Sequence, residues 1–348
     1  MNFGFWNFYP FYNRNRMFTQ GASETGDDLA YPTVLLGQRL RALGHEVATL
    51  DMQPLAWFDQ VFFIDYPTLL NARFRRLLRE RHPHVHLFAS EPPMIRSSNY
   101  STATAARFEK VLTWRKELCA RNPVKYTLWH LPNKYREPAA AEPFASRKLG
   151  VMINRFMAFH DPRELFSERV RAVRWFEAHA PQDFDLFGSD WDKPLFSGRL
   201  AKVNLPLRLM YRRIAPLRRL KLARYPSFRG PVASKNETLR QYRFCFAYEN
   251  CAEPDYLSEK LFDCFFAGCV PIYLGAPNVL ETIPAETFID KRKFGSYAEL
   301  HRYLAAMPEA VYNRHLEAAR DFLHSPAMRP YTAEGFADNF IANFAAKT

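Results

Sequence analysis

The residues best suited to chemistry lie between positions 242 and 275, in the run YRFCFAYENCAEPDYLSEKLFDCFFAGCVPIYLG. Tyr256, Glu259, Lys260 and Asp263 make a narrow polar face on a segment that is otherwise apolar. Leu257, Leu261, Phe262, Cys264, Phe265 and Phe266 fill a broad arc at helical spacing. Lys260 places a full positive charge near a helix N-terminus, where unbonded N–H groups and the macrodipole already favour an anion. Glu259 is an acceptor suited to a pair of sugar hydroxyls, and Tyr256 offers a ring and a donor. Together they describe a nucleotide-sugar pocket, with diphosphate at the lysine and ribose at the glutamate. The competing reading is an ordinary amphipathic helix with an adjacent charge pair in solvent.

Such a face has to be held by a strand, a loop, a helix and a second strand. The first strand is the run Phe244 to Tyr248, ended by Glu249-Asn250, and Pro254-Asp255 marks the loop. The periodicity turns helical from Tyr256 and stops at Gly268, and Cys269 to Gly275 reads as a buried strand.

Three runs in this stretch resemble the donor-binding signature of the α1,3/4-fucosyltransferases, family 10 of the glycosyltransferases. They are Phe246 to Asn250, Asp255 to Leu261, and Ala267-Gly268 with Val270-Pro271 through Gly275. Tyr248 stands where the family usually has Phe, and Ser258 where Thr is common. The resemblance implies an α/β chain of the GT-B type, with two Rossmann-like domains facing each other across a cleft. It implies inverting transfer of fucose from GDP-fucose, with no metal or other cofactor. On the matching positions it assigns donor binding to Glu249, Asn250, Tyr256, Glu259 and Lys260. The acceptor it suggests is a GlcNAc-containing oligosaccharide or glycolipid of a bacterial surface, modified at O3.

The rest of the chain alternates strand and helix, as a parallel sheet with covering helices requires. Asn2 to Phe8, Phe58 to Tyr66, Val85 to Ala89 and Phe108 to Trp114 read as strands, with helices over Tyr31 to Leu43 and Arg73 to Arg81. Ligands of open parallel sheets bind beyond the carboxyl ends of strands. Glu91 follows such an end and is fixed by Pro92-Pro93; the resemblance makes it the general base. A stretch rich in Pro and Ala, residues 137–146, reads as a linker. These signals divide the chain into an N-terminal acceptor-side domain, 1–146, and a GDP-sugar domain, 147–330. The terminal helix, 331–348, is expected to cross back to the first domain. In the second domain Leu149 to Ile153 reads as a strand and Leu165 to His179 as a helix. The family places a diphosphate-binding arginine two residues after a serine at the start of that helix. Ser167 and Arg169 fit that spacing, with Arg171 as the other option.

The net charge of +12 is uneven. Between Arg199 and Arg229 there are ten Lys or Arg residues, no acid, and a series of leucines. That composition suits peripheral contact with an anionic membrane surface, or a solvated surface insertion. No nucleic-acid motif accompanies the basic character, so nucleic acid is not expected as a partner. Five cysteines without a C-x-x-C pair fit free thiols. Neither a signal peptide nor an apolar run of membrane-spanning length is evident, so the expectation is a cytoplasmic protein, peripheral on the inner membrane at most. His82, His84 and His86 alternate on a strand without a carboxylate or thiol near them in sequence, a weak metal pattern. Asp190-Trp191-Asp192 mimics the D-x-D motif of Mn²⁺-dependent GT-A enzymes but follows a strand and Gly188, and is read as a turn. The alternatives to the main reading are a GT-B transferase for another GDP-sugar, and a basic module that binds nucleic acid or a membrane surface.

Overall fold

The computed structural model describes residues 1–19, 28, 30–138, 142–192, 203 and 225–345. The basic stretch from Arg199 therefore lies outside the described residues up to Arg224, Val203 apart. The chain forms two compact units, Met1–Tyr135 with Ser325–Thr348, and Arg136–His324.

Unit 1 is built on six parallel strands: β1 (Asn2–Asn7), β2 (Glu46–Thr49), β3 (Gln60–Ile64), β4 (Val85–Ala89), β5 (Lys110–Thr113) and β6 (Tyr126–Leu128). Their order across the sheet is β2-β1-β3-β4-β5-β6. The central strands are apolar on both faces because both are covered, as in any parallel sheet flanked by helices; all five residues of β4 are buried. One face packs against Phe74 and Leu77 of the Ala72–Arg79 helix, which Asn71 caps through the amide of Phe74 at 3.0 Å. The other face is closed by the Tyr31–Ala42 helix and by the C-terminal helix, Ala333–Phe344. Phe336, Phe340 and Phe344 recur every four residues and so form a single stripe. Phe340 meets Phe62 at 4.8 Å and Phe3 and Phe5 at 5.8 Å between ring centroids.

His86 points into this aromatic layer, between Phe62 at 4.7 Å and Phe344 at 4.9 Å, with Nε2 bonded to Gln60 at 2.7 Å. Burial, with positive neighbours, lowers its pKa to about 3. His82 bonds to the carbonyl of Phe58 and His84 to Glu109. Glu109 Oε2 also lies 3.5 Å from His86 Nε2, so His84 and His86 share that carboxylate while His82 turns to the backbone. No cluster of metal-ligating side chains occurs among the described residues.

Unit 2 carries five parallel strands, β7 (Lys148–Ile153), β8 (Phe184–Phe187), β9 (Tyr242–Tyr248), β10 (Val270–Leu274) and β11 (Ile289–Asp290), in the order β11-β10-β9-β7-β8. Phe176 of the Phe166–His179 helix stacks on Phe184 at 5.0 Å and meets Phe246 edge-on at 5.2 Å, which ties that helix to β8 and β9. The strand order reverses between β7 and β9, so the crevice beyond their carboxyl ends is where a ligand of such a sheet belongs. Among the described residues no helix is long and apolar enough to cross a membrane.

Candidate active site

Arg169, Glu249, Asn250, Glu259 and Lys260, five of the residues singled out above, gather beyond the carboxyl ends of β7 and β9. Glu249 is the first residue after β9 and is fully buried. Its carboxylate accepts from the amide of Ser258 at 2.8 Å and from the Ser258 hydroxyl at 2.6 Å. Lys260 Nζ lies 3.5 Å from the same carboxylate, 3.0 Å from Ser258 Oγ and 3.3 Å from Glu259 Oε1. Ser258 is the N-cap of the helix Glu259–Ala267, with extended backbone and its side chain toward the amide of Lys260. A buried acid thus fixes the cap, and the cap fixes the lysine.

This differs from the sequence expectation in one respect. The helix begins at Glu259, three residues after Tyr256, because Asp255 takes a left-handed conformation with φ 65° and Ser258 is extended. Tyr256 therefore belongs to the loop that leads in, where it is buried. The helix ends as expected, with Gly268 at φ 63°.

Asn250 follows Glu249 and meets Arg169 from the Phe166–His179 helix. Arg169 is 2% exposed and donates through Nη2 to the carbonyl of Tyr248 at 2.7 Å and to Asn250 Oδ1 at 3.0 Å. Its Nε is buried without a hydrogen-bond partner among the described residues. Burial draws its pKa down to about 10, against the pull of Glu249, Tyr256, Glu259 and Glu164. Arg171 points away, 70% exposed and paired with Glu168 at 2.5 Å. The loop before the helix is pinned to the Asn250 loop: Leu165 N donates to Asn250 O at 3.1 Å, and Arg163 pairs with the buried Glu253. Position, burial and an unmet donor set Arg169 apart from the surface arginines of its helix.

Glu259 keeps 39% of its side chain exposed. Burial of its surroundings disfavours the charge, yet Lys260 and Lys235 overcome that and hold its carboxyl well below the usual range. Lys235, which sequence reasoning passed over, reaches it from the helix Lys235–Arg240. The cluster offers a ligand fixed cations, the free N–H groups of a helix start and one ionised acceptor.

Glu91 stands on unit 1, two residues beyond β4 and half-buried. The turn that carries it is organised by Asp65, a residue the sequence did not flag. Asp65 follows β3, is buried, and accepts from Ser90 N at 3.0 Å, Ser90 Oγ at 2.8 Å, Glu91 N at 3.1 Å and Asn99 Nδ2 at 2.7 Å. The only sequence signal for this role is an acid closing the run Val-Phe-Phe-Ile. Tyr100 and Asn99 donate to the carbonyl of Glu91 at 3.0 and 3.4 Å. Its backbone is thus fixed from three sides. In unit 2 the D-x-D look-alike is a turn: Asp190 has φ 69°, is buried and is bonded to Arg155 Nε at 2.6 Å, while Trp191 Nε1 donates to Asn154 O at 2.9 Å.

The two units are parallel α/β sheets, a fold shared with solved structures of GT-B glycosyltransferases. A crystal structure of an α1,3-fucosyltransferase aligns over 100% of this chain and 90% of its own, with TM-score 0.52 and 13% identity. Phage T4 BGT in complex with UDP-glucose aligns over 99% of this chain and 100% of its own, with TM-score 0.56 and 12% identity.

Residues 224–331 match the glycosyltransferase family 10 (fucosyltransferase) C-terminal model, so the family resemblance holds over the segment that carries Glu249 to Lys260. An α-(1,4)-fucosyltransferase of Arabidopsis thaliana is 46% identical over 66 residues, 19% of this chain and 16% of that protein. Human α-(1,3)-fucosyltransferase 7 is 36% identical over 109 residues, 30% and 32% of the two chains. Helicobacter pylori α-(1,3)-fucosyltransferase FucT is 34% identical over 73 residues, 21% and 15% of the two chains. The matched stretch spans less than a third of each relative.

Proposed function

We propose that this protein is an inverting fucosyltransferase that moves L-fucose from GDP-fucose to a hydroxyl of a GlcNAc-containing glycan, without a metal ion. The observation that carries the reading is the cluster of Arg169, Asn250, Glu259 and Lys260 beyond β7 and β9, with Glu249 buried behind it. Most of it falls inside the segment that matches the fucosyltransferase family model.

In this reading the diphosphate sits against Lys260, Arg169 and the N-terminus of the 259–267 helix, and the ribose hydroxyls bond to Glu259. Tyr256 and Asn250 line the donor pocket. Glu249 acts through Ser258 and Lys260, since its oxygens are already committed to them. Glu91 takes the proton of the acceptor hydroxyl as its oxygen attacks the anomeric carbon, a general-base step worth about 10² to 10⁴ in rate. The bond from that carbon to GDP breaks, and the charge that appears on GDP is met by the cations where other enzymes use a metal. The acceptor belongs to a bacterial surface glycan, free or lipid-linked, and the basic 199–229 segment holds the enzyme to anionic lipid.

Incubation with GDP-fucose and N-acetyllactosamine in EDTA tests the reading. An α-fucosylated product from the β-linked donor, seen by NMR of the anomeric proton, is the expected result. Transfer from GDP-mannose in place of GDP-fucose would favour the alternative of another GDP-sugar.

A further inference from the structure

The 259–267 helix carries two acids one turn apart, Glu259 and Asp263, on the face that also bears Lys260. Like charges at that spacing repel, and here a lysine from another helix lies between them. Lys235 opens the helix Lys235–Arg240, behind its N-cap Ser234. Its Nζ stands 3.1 Å from Asp263 Oδ2 and 3.7 Å from Glu259 Oε1. Lys260 Nζ reaches that same Glu259 oxygen at 3.3 Å. Both ammonium contacts therefore fall on Oε1. The three side chains of the bridge are partly covered, with Lys235 29% exposed, Asp263 31% and Glu259 39%.

We infer that Lys235 is the positioning residue of the nucleotide site: anchored on Asp263, it occupies one oxygen of Glu259 and turns the ionised carboxylate to receive the ribose hydroxyls of a guanosine nucleotide. The assignment rests on the donor site proposed above and adds to it a residue that does not touch the ligand. Two contacts of one oxygen fix the carboxylate plane better than one, and a fixed acceptor loses less freedom on binding. The pairing also governs charge. The groups facing Glu259 are Lys260 and Asp263 from its own helix and Lys235 from its neighbour, with Arg169 and, behind Lys260, Glu249 at longer range. At close range the two lysines, with a hydrogen bond from the residue's own backbone amide, favour ionisation, and Asp263 opposes it. Without Lys235 the Glu259 carboxyl takes up a proton at higher pH, and the acceptor is lost as pH falls.

The test is calorimetric titration of the full chain in EDTA with GDP and with 2′,3′-dideoxy-GDP, for the wild type and for Lys235→Met and Lys235→Arg. The wild type should prefer GDP to the dideoxy nucleotide at every pH from 8 to 5. Lys235→Met should weaken GDP by about tenfold at pH 7, and more at pH 5, while binding of the dideoxy nucleotide changes little. Lys235→Arg should restore most of the preference. If the methionine variant folds poorly, Lys235→Gln, which keeps a donor but not the charge, is read in the same way. An equal loss for both nucleotides with no pH dependence would make Lys235 a structural residue and overturn the assignment. Unaltered GDP binding would overturn it as well. A wild type that ignores GDP would sink the donor site itself.

Discussion

At the scale of single residues, the site separates groups that would touch a ligand from groups that hold them. Lys260 is proposed to stabilise charge on the departing diphosphate, so Lys260→Ala should lower kcat by about 10²-fold or more as well as weaken donor binding. Steady-state kinetics with GDP-fucose decide this, and a raised KM with unchanged kcat would remove the role. Glu91→Gln should bind GDP as tightly as the wild type and lose transfer by about 10²-fold or more; a variant with full activity would refute the base assignment. Glu259 and Lys260 stand out in the sequence because charge, spacing and an apolar arc coincide over a dozen residues, whereas Tyr256, put on the same helical face by that spacing, lies in the loop before the helix. Arg169 was legible only through the family pattern, since three arginines on one helix look alike until one is seen buried against Asn250. Asp65 and Lys235 were not legible. Their partners lie 25 or more residues away, at Ser90 for the one and Asp263 for the other, and no local period reports such contacts.

At the scale of elements, the turn after β10 shows how closely the donor-side elements are fitted. Gly275 faces Glu249, and a Cβ there would stand 2.5 Å from Glu249 Cγ and 2.3 Å from the Tyr273 hydroxyl. Tyr273 OH in turn accepts from the amide of Ala276 at 3.0 Å. Gly275→Ala should therefore cost about 1–3 kcal/mol and push Glu249 off Ser258. The expected outcome is a lower Tm together with a smaller stabilisation by GDP; a variant with wild-type values for both would show that the turn can yield. Strands and helices were read correctly where the apolar period was sustained, as in β4, β9 and the 166–179 helix. Some strand ends were read one or two residues too long, as at Phe58 to Tyr66 and Phe108 to Trp114, and the misplaced boundary that bears on the site is the helix start assigned to Tyr256. Apolar spacing runs on through Leu257, whereas the true start is set by a capping serine held from a distance by Glu249. A cap that depends on a tertiary contact is weakly marked in sequence.

At the scale of the whole molecule, the C-terminal helix belongs to unit 1, and His86 lies beneath it. Stability should follow the protonation of His86 on the acid side. Burial lowers its folded pKa to about 3, while the unfolded chain titrates near the ordinary value of about 6.5. Between those values the unfolded state binds more protons, so stability falls as pH drops through that window and is unaffected above it. At pH 5 the loss from this one group is about 2 kcal/mol. His86→Phe, which suits the surrounding rings, should flatten the decline in denaturation midpoint between pH 6.5 and 4. An unchanged slope would show that other groups set it. The two parallel sheets were legible from the alternation of strand and helix. The return of the last helix to unit 1 was only suggested by analogy, because its stripe of Phe336, Phe340 and Phe344 fits any apolar face.

The central claim is that the cluster around Lys260 is a guanosine diphosphate site that works without a metal. Its most direct test is a thermal-shift titration with GDP and UDP, first in EDTA and then in Mn²⁺, because a ligand that binds only the folded state raises Tm. The account predicts stabilisation by GDP in EDTA, a weaker effect of UDP, and no gain from Mn²⁺. No response to GDP, or a response only to UDP with Mn²⁺, would contradict it.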